Sequence, residues 1–341
     1  MSRRLEVWSG LAVVWLGGVL LGGCAKQPAD LETLPEPPRL KSMARTLPPS
    51  ALKGTVGVSL LTMSNPFFIE MGQAMLAEGA KQGYEVKLQA GDLDAARQKD
   101  QVKDFIVKKV SAIVLCPCDS KAVGTAIAEA NKAGIPVFTA DIASLDPAAK
   151  VVSHVATDNY AGGKLAGEEI VKLLGGKGKM AIIDHPEVES AMQRTKGLHD
   201  VVDKVPEIQI VAQLPGKGSR DESLKTAQDI LEKNQDLNLI FAINDPTAFG
   251  VVAALEKAKL AGKVQVVGFD GMPEAKQAVK DGKIAADIVQ YPERIGKTVI
   301  EQVAKHLAGE KVEPQVLMET GVYRKADADK DPALRKKRGR K

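Results

Sequence analysis

The chain is poor in the residues on which metal sites and many catalytic sites depend. Its 341 residues include only four histidines and three cysteines. His154, His185, His199 and His306 stand far apart, with neither H-x-H nor H-E-x-x-H spacing, so no zinc motif forms along the sequence. Cys116-Pro117-Cys118 places two thiols in one loop with no histidine beside them, which suits loop-packing cysteines or a local disulfide better than a metal site. No cofactor or metal is expected. Long apolar runs are also missing: the run 11–21 is short for a membrane-spanning helix, and nothing indicates a membrane bundle. The glycine-rich signals fail in turn. Gly296-Lys297-Thr298 lacks the glycine of a phosphate-binding loop, because that position is Tyr291, and Gly175-Gly176-Lys177-Gly178 follows a helix rather than a strand. With no nucleophile and base in evident register, an enzyme is the least supported class. What is present, 44% hydrophobic and 26% charged residues, is ordinary for a soluble globular protein whose length suggests two domains.

The two ends stand apart from the body. Arg3 and Arg4 precede the apolar run 11–21, the layout of a secretory signal peptide over 1–23, and both tryptophans, Trp8 and Trp15, lie within it. It ends in Leu21-Gly22-Gly23-Cys24, which resembles the bacterial lipobox; the resemblance implies cleavage before Cys24, lipidation of Cys24 and a protein anchored to a bacterial membrane. An uncleaved anchor is the competing reading, and either way the body lies outside the cytoplasm. From 24 to 53, Pro28, Pro35, Pro37, Pro38, Pro48 and Pro49 break regular structure and make a tether that, at roughly 3.1 Å per extended residue, reaches on the order of 90 Å. The tail 326–341 ends in a run whose last seven residues carry six positive charges. The signal adds one net positive charge, so of the formal +4 the residues 24–334 keep −3, and the basic character belongs to the tail.

The body is organised around 55–68, T-V-G-V-S-L-L-T-M-S-N-P-F-F. An apolar run (55–61) predicts a buried strand, a short polar turn follows, and Pro66 suits a first helical position. In open α/β sheets ligands lie at the carboxyl ends of strands, which places the Asn65 amide and the Phe67 and Phe68 rings at such a mouth. The alternative is that Asn65 only caps the helix while both rings are core.

Downstream, short apolar runs alternate with helical patterns. Strands are predicted over 55–61, 85–89, 112–115, 137–140 and 152–155, then 179–183, 208–214, 239–242, 264–268 and 285–289. Helices are predicted over 66–82, 95–108, 122–133, 159–174, 191–204, 221–234, 246–258 and 273–281. This alternation calls for α/β architecture with mainly parallel sheets. The halves also echo each other: 126–141 and 253–270 both run helix, Ala-Gly stop, strand, then an aspartate at the strand's end. Facing lobes would set Asp141 and Asp270 across one cleft, unless each merely caps a turn.

The segments T-M-S-N-P-F-F, D-S-K-A-V-G-T-A, A-G-I-P-V-F-T-A-D, V-V-S-H-V-A-T-D-N, F-A-I-N-D, V-V-G-F-D-G and I-V-Q-Y-P-E-R-I-G, in this order over 54–323, resemble the ribose-binding protein family of periplasmic sugar receptors. The resemblance implies the type I periplasmic binding fold: two Rossmann-like lobes, 54–156 plus 291–319 and 157–290 plus 320–325, joined by crossovers near 156–158, 290–291 and 319–321. It also implies a monomer that closes on a sugar and delivers it to the membrane subunits of an ABC importer. Asn65, Phe67, Phe68, Asp141, Asn244, Asp270 and Gln290 match sugar-contacting positions. Departures fall at Leu61 and Cys116, where ribose receptors carry serine and asparagine, and at Ile142 and Met192, where they carry arginines; Arg194 lies close enough to Met192 to restore a guanidinium after a small register shift. The family's covering phenylalanine falls at about Gly218. With both arginines lost, Asp141 and Asp270 would need a ligand that brings its own donors, such as a differently hydroxylated sugar, a polyol or an amine. A sensor kinase or chemoreceptor is the alternative partner. Sugar-responsive repressors share the two-lobe fold, but a signal and tether stand where their helix-turn-helix belongs, so no nucleic acid is expected.

Overall fold

The computed structural model describes residues 52–334, so the expectations for the signal, Cys24, nearly all of the tether and the last seven residues lie outside the described part. The first lobe begins β1 (Gly54–Leu60), α1 (Pro66–Gln82), β2 (Tyr84–Ala90), α2 (Ala95–Val107), β3 (Ala112–Leu115), α3 (Val123–Lys132), β4 (Val137–Ala140) and β5 (His154–Thr157). The second follows with α4 (Asn159–Leu174), β6 (Gly178–Asp184), α5 (Glu189–Val202), β7 (Ile208–Pro215), α6 (Arg220–Lys233), β8 (Leu239–Ala242), α7 (Asp245–Lys257), β9 (Gln265–Asp270), α8 (Pro273–Lys280) and β10 (Ala286–Val289). Then α9 (Pro292–Leu307) packs on α1, β11 (Gln315–Met318) joins the first sheet, and β12 (Gly321–Arg324) joins the second, followed by α10 (Lys325–Ala328).

The sheets are near copies. The first runs β2-β1-β3-β4-β5-β11, all parallel; the second runs β7-β6-β8-β9-β10-β12, parallel except for β12. The chain therefore passes between lobes three times, after β5, after β10 and between β11 and β12. Sheets covered on both faces need strands that are apolar throughout, and the four residues of β3 and of β8 are all buried. Ala112 and Val114 face the α1–α9 side while Ile113 and Leu115 face α2 and α3, the period-two alternation of a pleated strand. One apolar cluster continues from the α1–α9 side of the first lobe to the α4–α5 side of the second.

Several helix starts follow from side-chain chemistry. Asn65 and Asn244 cap α1 and α7 through Oδ1, accepting from Phe67 N and Thr247 N at 3.0 Å each, and Asp94 and Asp158 cap α2 and α4. The fifth strand begins at His154, two residues later than its apolar run suggests, and ends where Asp158 starts α4. The edge strands β11 and β12 have no clear signal, because an edge strand with partly exposed residues shows little apolar alternation.

Helices α4 and α5 approach unusually closely. A Cβ on Gly163 would lie 2.0 Å from the Arg194 carbonyl oxygen, and one on Gly197 would lie 2.2 Å from that of Tyr160. Glycine at both positions lets the two backbones touch.

Candidate functional site

The carboxyl ends of both sheets face one cavity between the lobes, about 350 Å³ including the space at its mouth. Its wall includes Asn65, Phe67, Phe68, Asp141, Asn244, Asp270 and Gln290, which the sequence had marked, together with Ile142, Arg194 and Leu61. Cys116 lies just behind, its Sγ 4.0 Å from Asp141 Oδ2. Cys116 and Cys118 are both free, buried thiols, pushed up by burial, with Cys118 at about 12, and neither is poised to react.

Met192 is not at the cavity. It is 41% exposed, because α5 turns through about 100° per residue, so two positions on, Arg194 points inward. The buried residues Ala191, Arg194, Thr195, Leu198 and Val202 recur at helical spacing, a signal that places Arg194 on the inner face. The expectation that the cleft has lost both guanidinium groups is thus corrected: Ile142 lines the cavity, and Arg194 lines it too. Its Nε donates to Asn159 Oδ1 and its Nη1 to the Ile243 carbonyl, both at 2.8 Å, its plane lies 3.9 Å from the Phe269 ring centroid, and Nη1 stands 3.6 Å from Asp270 Oδ1.

The two aspartates differ in their surroundings. Asp270 accepts from Gln290 Nε2 at 2.8 Å and Asn65 Nδ2 at 3.3 Å and forms an ion pair with the arginine. Burial raises its pKa and these three partners oppose the rise. Asp141 has no such company. Burial pushes it up to about 7, with Arg194 opposing and Asp270 adding to the rise, and its Oδ1 has no hydrogen-bond partner. A tight turn aims it: Ile142 N donates to Ala140 O at 2.7 Å across Asp141, whose φ is +64°, the strained form of γ-turn. Asp270 too has a positive φ, +123°. Other non-glycine residues with positive φ, such as Leu93 and Lys109, lie away from the cavity, whereas these two line it.

Asn65 does more than cap: Oδ1 caps α1 while Nδ2 reaches Asp270 across the cleft, and the residue lines the cavity. Phe67 and Phe68 are buried, stacked edge to face at 5.1 Å, and line the cavity. A ring at Gly218 would be strained, since φ there is +60° and a Cβ would lie 3.0 Å from Asn244 Nδ2 and 3.1 Å from His185 Nδ1. The flat surface on this wall is the imidazole of His185, kept neutral by burial, a residue the sequence reading left among scattered histidines. Val188, Ser190, Ala191 and Ile243 complete the lining and were also missed.

Under Asp270 lies a buried acid pair. Asp245 Oδ2 accepts from Met272 N at 2.8 Å, whereas Asp245 Oδ1 and both oxygens of Asp287 receive no donor from other groups. Burial raises both, and the charge of Asp287 adds to the rise at Asp245, so both carboxyls are held toward the protonated form. Among the described residues no cluster of three or more His, Cys, Asp or Glu is arranged to hold a metal ion.

Residues 56–311 match the periplasmic binding protein domain family. The ribose import binding protein RbsB of Salmonella typhimurium is 36% identical over 262 residues, covering 76% of this chain and 87% of that protein. A solved ABC transporter periplasmic solute-binding protein of Actinobacillus succinogenes with bound D-allose superposes with a TM-score of 0.76 at 31% identity, covering 82% of this chain and 100% of that one. An ABC transporter solute-binding protein of Agrobacterium vitis with bound D-fucose superposes with a TM-score of 0.78 at 31% identity, covering 82% and 98%.

Proposed function

The chain belongs to the periplasmic binding protein domain family and has its two-lobe type I fold, and from that premise we propose that it is an extracytoplasmic receptor that captures a sugar or sugar-like polyol between its lobes and delivers it to an ABC importer. The observation that carries the ligand class is the character of the unpartnered cavity atoms. The buried cavity-wall oxygens left without a partner, Asp141 Oδ1 and Gln290 Oε1, are both acceptors, and they stand beside the apolar faces of Phe67, Phe68, Leu61 and Ile142. A ligand with hydroxyl donors on its edges and C–H faces between them satisfies both at once. No bond is made or broken. Ligand held by Asp141 and Phe67 of the first lobe and by Arg194, Asp270 and Gln290 of the second stabilises the closed form by touching both, and the closed form is what the importer reads.

In this reading, the protein is carried to a bacterial membrane by its signal, lipidated at Cys24 after cleavage, and held clear of the bilayer by the Pro-rich tether 24–53. The lobes divide as 54–156 plus 291–319 and 157–290 plus 320–325. The receptor works as a monomer.

A thermal-shift panel of D-ribose, D-allose, D-fucose and myo-inositol, read with an external dye, tests the ligand class. A true ligand at 100 times its dissociation constant adds about 2.7 kcal/mol and raises the melting temperature. That shift should vanish in Asp270→Ala. A flat panel on folded protein rejects the sugar reading. Cys24→Ser should move the protein from membrane to soluble fractions; retention in the membrane fraction rejects lipid anchoring at that residue.

A further inference from the structure

Helix α5 carries Arg194 into the cavity, yet its own segment leaves its N-terminus uncapped: the N-cap residue is Val188, which has no side-chain acceptor. Such a start leaves backbone N–H groups without partners. The missing acceptor comes from the other lobe. Glu189 N donates to Ser120 Oγ at 2.9 Å, and Ser120 belongs to the loop between β3 and α3. The remaining polar groups of Ser120 are also engaged: its N–H donates to the Glu187 carbonyl at 3.0 Å, across the cleft, and its carbonyl accepts from Leu145 N at 2.7 Å, within its own lobe. Ser120 is 0% exposed.

We propose that Ser120 is a closure latch, a positioning residue that sets how tightly the receptor holds its ligand without touching it. The inference rests on the receptor reading given above. When the lobes part, Ser120 Oγ and the Glu189 N–H both turn to water. When they close, the hydroxyl completes the first turn of α5 and so fixes the helix from which Arg194 reaches Asp270. The cap exists only in the closed form, so its free energy adds to closure and to nothing else. Alanine at 120 leaves the Glu189 N–H without an acceptor in the closed form alone.

The test uses the full chain with Ser120→Ala and Ser120→Thr, probed with D-ribose, D-allose and D-fucose. A helix cap of ordinary strength corresponds to about a fivefold change. The expected result is that whichever sugar binds the wild type dissociates about fivefold faster from Ser120→Ala, that Ser120→Thr restores the rate, and that the urea midpoint of the free protein stays put. Unchanged binding and dissociation in Ser120→Ala overturn the latch, as does an equal loss of urea stability, which marks a merely structural serine. If none of the three sugars binds the wild type, the receptor reading for this ligand class fails and the latch that rests on it falls with it, an outcome distinct from a sugar that binds wild type and Ser120→Ala alike.

Discussion

Replacing Asp141 by asparagine should make the protein more stable and worse at binding, with the stability gain confined to neutral and alkaline pH. Asparagine keeps the size of the side chain and tolerates the φ of +64° nearly as well as aspartate, so the turn survives. What changes is charge. The carboxyl is 3% exposed, and burial lifts it from 3.8 to about 7. An acid raised in the folded state favours folding fully below pH 3.8, and this support is lost as the pH climbs to about 7, where the unfolded chain has long since released its proton. The rise is worth about 4 kcal/mol above pH 7, an upper bound because parting of the lobes admits water to the carboxylate. Urea unfolding should therefore show Asp141→Asn more stable than wild type by up to that amount at pH 8 and equal to it at pH 3.5. Binding should move the other way, since a charge-assisted hydrogen bond worth about 1.5–3 kcal/mol is removed, a loss of tenfold or more in affinity by calorimetry. If the variant is destabilised alike at both pH values, the unpaired buried carboxylate is not the source of the cost and the reasoning fails.

Arg194→Met should abolish sugar binding and cost about 3–5 kcal/mol in urea, because a buried carboxylate loses its cation; Arg194→Lys should not rescue it, for an ammonium cannot serve Asn159 and the Ile243 carbonyl as a fork does, and wild-type affinity in the lysine variant would count against this geometry. Gly197→Ala should force α4 from α5, lowering stability by about 1–3 kcal/mol and weakening binding through displacement of Arg194; calorimetric melting and a binding titration measure both, and an unchanged melt would show that the seam yields freely. Asp287→Asn should stabilise the protein at pH 8 and leave it unchanged at pH 3.5, since Asp287 is an acid with a raised pKa whose support for folding fades as pH rises from 3.8 to about 7; a gain at acid pH would contradict burial of the carboxyl as the cause.

Much of this molecule can be read from its sequence because parallel sheets covered on both faces leave plain marks. Runs such as Ala112–Leu115 and Leu239–Ala242 are too apolar and too short to be anything but buried strands, and Asn65 and Asp158 announce their helices by capping chemistry. Asp141 and Asp270 could be found because each ends a strand in a repeated plan. The rest depends on what meets across the cleft. Ser120 and Val188 look like unremarkable loop residues until the lobes are brought together, and the burial of Asp245 beside Asp287 depends on strand β10 and helix α7 converging. Arg194 was within reach: the buried face of α5 at Ala191, Thr195 and Leu198 identifies it, whereas matching a family position by adjacency favours Met192.

The placing of β11 and β12 bears on how the protein is made. Strand β5 stays an open edge until residues 315–318 arrive, and α1 waits for α9, more than two hundred residues downstream. The second sheet waits likewise for 321–324. Contacts this distant in sequence close slowly, because the intervening chain must be gathered first. Neither lobe can finish on a partial chain, and both receive their last strand from one short stretch near its end. Late closure of this kind keeps both lobes incomplete until residues 315–324 are in place, and lets the two halves set together.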